Sequence, residues 1–173
     1  MDSHLEKLQR ALNDAITGMS AEELSWHPPG KWCAAEVLEH LYLTYTGTIK
    51  GFTRVQEAGK PLATPATTRQ RARVFVVVGL GHMPVGRKAP PMSQPRGLPA
   101  ATVQAEIGAK MAEMDEIIGR CASRLAAGKM QGQPILDHPI LGPLTARQWR
   151  KFHFVHGMHH VKQIQRLRDA SRK

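Results

Sequence analysis

Apolar residues recur along this chain at the three- and four-residue spacing of helices that each bury one face. Leu5, Leu8, Leu12 and Ile16 mark the first stripe, opened by Ser3-His4-Leu5-Glu6 as a capping box and closed by Gly18. Ser20-Ala21-Glu22-Glu23 is a second box, enough for one short turn before Trp26-His27-Pro28-Pro29-Gly30 breaks the chain. A long helix is predicted from about Cys33 to Glu57, with Gly59 and Pro61 as its stop. Cys33 stands at the cap, three residues before Glu36, where Ser or Thr would cap better. Its inward face reads Val37, His40, Leu41, Thr44, Thr48, Phe52 and Val55. Thr67 or Thr68 opens a third, short helix through Arg71, Phe75, Val78 and Leu80, although Val76-Val77-Val78 would equally suit a strand. From Ala100 to Leu125 a further helix carries Val103, Ile107, Met111, Met114, Ile118, Cys121 and Leu125 on one stripe.

The last helix has an unusual stripe. Thr145 and Gln148 form its capping box, after the punctuation of Asp137-His138-Pro139 and Gly142-Pro143. With His156 set to zero on a helical wheel, His160 falls at about +40° and His153 at about +60°. Trp149 and Leu167 fall near +20° on the same wheel, with Phe152 and Gln163 close by. The opposite face carries Arg147, Arg150, Lys151, Lys162, Gln165 and Arg168. A core stripe normally holds Leu, Ile and Val, so inward histidines call for a reason.

Four substantial helices with one stripe each, no internal repeat and no convincing sheet predict a single all-α domain over residues 1–173, most simply a four-helix bundle. Pro84 to Pro99, rich in proline and glycine, is expected as an irregular insert, packed on the surface or acting as a flap.

Composition narrows the classes. The 42% hydrophobic content suits a globular fold, and the 5% aromatic content argues against a binder that stacks nucleic-acid bases. The net charge of +10 points to an anionic partner or to a solvated basic surface, since no run of like charge is present. Cys33 and Cys121 form no disulfide framework, the start of the chain does not read as a signal peptide, and Val74 to Met83 is too short to span a membrane. A cytoplasmic protein is the expectation.

His156-x3-His160 places two imidazoles one turn apart, at the roughly 5–6 Å Cβ spacing that lets both reach one metal. Two ligands make a weak site; His40 is the inward histidine on a facing helix that would supply a third. Three imidazoles leave positions free for water or substrate, as in reactive rather than structural sites. Most His-x3-His pairs bind nothing, and a lone inward histidine is commonly a hydrogen-bonded core residue. His153 and His159 compete as ligands, supporting partners or pocket contacts. His138 reads as a loop contact near the bundle mouth. Glu36, Asp115 and Asp137 are carboxylates that would orient a histidine, with nothing to choose among them. No phosphate loop, nucleophile elbow or His-Glu-x-x-His helix is present.

Two blocks resemble the DinB-like superfamily, described as metal-dependent hydrolases or thiol S-transferases. One is Pro29-Gly30-Lys31-Trp32-Cys33-Ala34-Ala35-Glu36-Val37-Leu38-Glu39-His40-Leu41. The other runs from His138-Pro139-Ile140-Leu141-Gly142-Pro143-Leu144-Thr145 through Trp149, Phe152, His156, His159-His160 and Gln163-Ile164. The resemblance implies an up-down-down-up four-helix bundle, often a homodimer, with nickel or zinc on His40, His156 and His160. It departs at Cys33, where a Ser-like cap is usual, and in the Pro-rich insert.

Three functions follow as expectations. The first is an enzyme that activates water or a low-molecular-weight thiol at the metal against a small-molecule substrate. The second is a bundle that binds a metal or small ligand without turnover. The third, a nucleic-acid-associated protein using Arg147, Arg150, Lys151, Lys162 and Arg168, is disfavoured by the absence of any nucleic-acid-binding motif.

Overall fold

The first stripe folds as helix α1 (Ser3–Ile16). The computed structural model describes residues 1–84, 86 and 88–173. Asp2, rather than Ser3, caps α1: its carboxylate accepts the His4 N–H at 3.0 Å. Aspartate caps as well as serine and adds a charge suited to the positive helix pole, so it displaces the predicted box by one residue. Helix α2 (Ala21–Ser25) has the expected reciprocal bonds between Ser20 and Glu23.

Helix α3 (Ala34–Ala58) starts as its sequence predicts. The Glu36 N–H donates to Cys33 Sγ at 3.4 Å, and the Cys33 N–H donates to Glu36 Oε2 at 2.8 Å. Gly59 ends it in the left-handed conformation at φ 65°. A thiol is a weaker acceptor than a hydroxyl. Cys33→Ser is therefore expected to stabilise the protein by about 0.5–1 kcal/mol in urea unfolding. An unchanged or lower midpoint would show that packing of the buried sulfur outweighs the cap.

Helix α4 (Thr68–Val74) is capped by Thr67 with Gln70 and widens into a π-helical turn over Phe75–Gly79. The alternative strand at Val76 to Val78 does not form. The wider turn rotates the register, burying Val77 and Val78 while Phe75 and Leu80 stand exposed. In the Pro-rich segment a 3-10 turn spans Pro91–Ser93; Val85 and Arg87 lie outside the described residues. Helix α5 (Ala100–Ala127) buries every residue of its predicted stripe. Helix α6 (Ala146–Ser171) has the predicted Thr145–Gln148 box.

The chain is mostly helical, with one departure from an all-helical reading. Leu136–His138 (β1) and Gly142–Leu144 (β2) pair as an antiparallel ribbon, with Leu136 opposite Leu144 and His138 opposite Gly142. No sheet was expected here. Three-residue strands are too short to show alternation, and Gly142-Pro143 reads as punctuation. The ribbon is anchored through its neighbours: the Trp149 indole donates to the Leu136 carbonyl at 3.2 Å, and Leu136 lies against Gly51 with no space for a Cβ there.

The long helices pack mainly as α3 on α5 and α1 on α6, with α3 facing α6. Tyr42 bonds Glu106, Cys121 bonds the Phe52 carbonyl and Arg124 bonds the Gln56 carbonyl, so residue numbers rise together along α3 and α5. They also rise together along α1 and α6, from His4 against Phe154 to Arg168 on the Asp14 and Ala15 carbonyls. Between α3 and α6 they run opposite ways, from His40 at His156 to Phe52 at Trp149. Gly157 permits the close approach of α1, because a Cβ there would enter the fully buried Leu8 side chain.

This packing breaks up the basic face of α6. Arg150 Nε donates to Asp115 Oδ1 at 2.6 Å, and Asp115 Oδ2 accepts the Asp2 N–H at 2.8 Å. Lys151 reaches the Gly79 carbonyl, and Arg168 takes the α1 carbonyls. Only Arg147 and Lys162 of those five basic residues stay exposed. α6 has neighbours on several sides, which a single-helix wheel does not represent. No helix among the described residues is long and apolar enough to cross a membrane.

Candidate metal centre

Three histidines meet where the N-terminal part of α3 faces the middle of α6. His156 Nε2 lies 3.2 Å from His40 Nε2 and 3.1 Å from His160 Nε2. Two tetrahedral ligands at metal–nitrogen distances of 2.0–2.1 Å stand about 3.3 Å apart. The potential ligand atoms of all three residues lie within 4.8 Å of one another, close enough to share one metal ion.

The outer nitrogens decide which way the rings present their lone pairs. His40 Nδ1 is 2.6 Å from the Ser93 carbonyl, which only accepts, so Nδ1 carries the proton and Nε2 is free to ligate. His160 Nδ1 donates in the same way to Gln163 Oε1 at 3.0 Å. His156 Nδ1 is buried and has no partner among the described residues. Its ring is held by stacking on Phe152, centroids 5.3 Å apart and nearly coplanar in orientation at 12°.

All three imidazoles are kept neutral. Burial is the largest cause in each, disfavouring the charged form. It lowers the His40 pKa against an opposing pull from the Ser93 carbonyl. His160 is brought down to about 3 by burial, then by the nearby His40, with Gln163 opposing. His156 lies well below its ordinary value, through burial and then the neighbouring His160 and His40. Neutral rings with converging lone pairs are what a divalent ion requires, so the donor set fits such an ion.

The other histidines take different places. His153 is fully buried, and its Nε2 is 3.1 Å from Thr48 Oγ1. The Thr48 hydroxyl donates to the Thr44 carbonyl, so its oxygen accepts from His153 Nε2–H. His153 therefore turns away from the three, lying between Trp149 and Tyr45. His159 is half-buried, edge-on to His160, and lines the cavity without joining the converging nitrogens. His138 belongs to β1 rather than to a loop: its Nδ1 accepts the N–H groups of Ile140 and Leu141 at 3.1 and 3.2 Å, and its ring packs on Phe152. None of the three carboxylates suggested as orienters has a histidine partner. Glu36 serves the α3 cap, Asp115 holds Arg150 and Asp137 takes the Thr64 N–H and hydroxyl.

Glu39 and Ser93 were missed by the sequence reading. Glu39 is buried and accepts the Arg96 N–H at 2.6 Å and the Gly97 N–H at 3.1 Å. It thus fastens to α3 the segment whose Ser93 carbonyl orients His40. A backbone carbonyl in a Pro-rich stretch gives no sequence signal; an acidic residue inside an otherwise apolar Val-Leu-Glu-His-Leu run was the available hint. A cavity of about 640 Å³ opens over the histidines, with Trp32, Met92, Trp149 and Phe152 among its walls.

The fold and site define a mostly helical protein with three imidazoles, two buried and one half-buried, gathered at the wall of a large cavity. The chain belongs to the family described as protein of unknown function (DUF1569), whose model matches residues 1–167. No curated protein and no solved structure matches it.

Proposed function

We propose that this is a DinB-like four-helix bundle of up-down-down-up type, holding nickel or zinc on His40, His156 and His160. In this reading it is a cytoplasmic homodimer acting on a small-molecule substrate, as a metal-dependent hydrolase or thiol S-transferase. The observation that carries the reading is the convergence of three neutral Nε2 atoms beside a cavity of about 640 Å³. The parallel pairs α3/α5 and α1/α6, opposed to each other, support the bundle topology. The long connection from α3 to α5 is what parallel neighbours need.

The ion would supply Lewis acidity, making water or a low-molecular-weight thiol nucleophilic near neutral pH. The chain's own contribution is positional. The Ser93 carbonyl and Gln163 aim two of the ligands, and Phe152 fixes the plane of the third. Trp32 and Met92 give the site apolar walls that strengthen electrostatic interactions inside it. An ion held by three protein ligands would have coordination positions left for water or substrate.

The test is elemental analysis of protein purified without a histidine tag, followed by zinc and nickel reconstitution. Thiol-transfer and ester-hydrolysis assays would then compare loaded with metal-free protein. Near-stoichiometric metal with metal-dependent turnover supports the enzyme. Tightly held metal with no turnover in either class favours a bundle that only sequesters it. No metal retained after dialysis overturns the proposal.

A further inference from the structure

The cavity extends far beyond the three histidines. Along α3 its wall is formed by His40, Leu43, Thr44, Gly47, Thr48, Gly51 and Arg54. From His40 to Arg54 the helix axis climbs about 20 Å at its usual rise per residue. That wall is lowest at Gly47. At Gly47 a Cβ would meet nothing within 4 Å, so the glycine borders open space rather than a packed neighbour. The facing wall is apolar, with Ala72, Val76 and Val77 from α4 and its π turn.

The cavity's cations are three arginines and, beside Ala89 and Pro90 in the Pro-rich segment, Lys88. Arg54 comes from α3, while Arg69 and Arg73 come from one face of α4, one turn apart. Arg73 donates to the Ile140 carbonyl at 3.1 Å, which places its guanidinium. Arg54 and Arg69 have no hydrogen-bond partner among the described residues, so their donors face the cavity and solvent. The only carboxylate on the cavity wall among the described residues is Asp137, and both its oxygens are taken by Thr64, at 3.0 and 2.7 Å. A largely apolar cavity whose wall carries three guanidiniums, from α3 and α4, suits a molecule with an apolar body and an anionic end. The planar guanidinium fork matches a carboxylate in particular.

We propose that the cavity binds an elongated carboxylate: its apolar body lies along α3, its carboxylate meets Arg54, Arg69 and Arg73, and its other end reaches the three histidines. This names a substrate class for the site above. Only the placing of the reactive end rests on the metal reading; the binding itself does not.

Dodecanoate and dodecanol are the probes, matched in chain and differing in charge. Binding is followed by fluorescence of Trp32 and Trp149, which line the cavity, and zinc content is measured on the same samples. Wild-type protein is expected to bind dodecanoate at least tenfold tighter than dodecanol, with a preference that shrinks as salt is raised. The Arg54→Gln/Arg69→Gln double variant should lose the preference while still binding both chains. Gly47→Phe should block both probes and keep its zinc. Ala72→Phe, on the opposite wall, serves if Gly47→Phe does not fold. Equal affinity for the two probes, or a preference that survives in the double variant, overturns the proposal. So does full binding by a folded channel-blocking variant. Selective binding by protein that holds no zinc would sink the metal reading and leave this one standing; zinc retention without selectivity would do the reverse.

Discussion

His156→Ala is expected to reduce zinc or nickel affinity by at least a hundredfold, with the helical fold retained. His40→Ala and His160→Ala should do the same. The expectation follows from the geometry, since His156 Nε2 is the atom within 3.2 Å of both other ligand nitrogens. Removing it leaves only His40 and His160, on two different helices, with rings packed edge to face at 4.8 Å between centroids. A two-imidazole site loses one of three protein bonds to the metal. The partners of the outer nitrogens are typically worth 10–100-fold in affinity, and a ligand itself is worth more. His159→Ala separates the two accounts of the region. His159 lines the same cavity and touches His160, yet its loss should leave metal affinity within a few-fold of wild type. Isothermal titration of metal-free protein with zinc, checked by circular dichroism, decides the matter. If His156→Ala and His159→Ala weaken binding equally, the metal is held loosely by whichever imidazoles are nearby, and the three-residue site is wrong.

The gathering of His40, His156 and His160 was legible because helical periodicity fixes relative direction within one helix. His156 and His160 lie one turn apart on the wheel, and His40 lies on the buried stripe of the helix that faces them. The same tool misplaced Arg150. A wheel puts it opposite the histidines and so in solvent, but α6 also packs on α1 and α5, and Asp115 of α5 receives it. Periodicity knows one buried direction; a central helix has several. Caps were legible because they are local: Ser20, Cys33, Thr67 and Thr145 each bond the residue three positions on. Asp2 was passed over because two adjacent residues were both suitable caps.

What the sequence could not reveal depends on contacts between distant segments. The Ser93 carbonyl orients His40 across the fold, and backbone carbonyls are the same in every residue. The β1–β2 ribbon rests on three residues per strand and on Trp149 and Gly51 accepting it. The π turn at Phe75–Gly79 depends on a change of helical register that buries Val77 and Val78. The arginines of the cavity wall looked like dispersed surface charge, because Arg54 of α3 and Arg69 and Arg73 of α4 line one cavity only in the folded protein.

Acid is expected to unfold this protein steeply below pH 6.5, and two histidines outside the triad should account for much of the slope. Burial lowers the His138 pKa from 6.5 to about 4. Burial, then proximity to His138, lowers the His153 pKa from 6.5 to about 3. Both depressions have a structural cause. Protonating His138 at Nδ1 would destroy the acceptor used by Ile140 and Leu141. Protonating His153 at Nδ1 would place a charged donor in the core, where that atom has no partner. In the unfolded chain both rings take up a proton near pH 6.5, while in the folded protein they refuse it. The unfolded state then binds more protons, so stability is full above pH 6.5 and declines as pH falls towards the folded values. Each group contributes a slope of about 1.4 kcal/mol per pH unit across its own window. Integrated, His138 is worth about 3 kcal/mol and His153 about 5 kcal/mol, against the roughly 5–15 kcal/mol total of a typical domain. Urea unfolding of wild type between pH 4.5 and 7.5 measures the combined slope. His153→Phe removes one titrating group and should flatten it by about 1.4 kcal/mol per pH unit. His138→Asn, which keeps an acceptor for the two N–H groups, should flatten it by the same amount above pH 4. Because neither residue belongs to the converging three, both effects should persist with zinc present. Wild-type slopes in both variants would mean that other groups, the three converging imidazoles among them, govern acid unfolding.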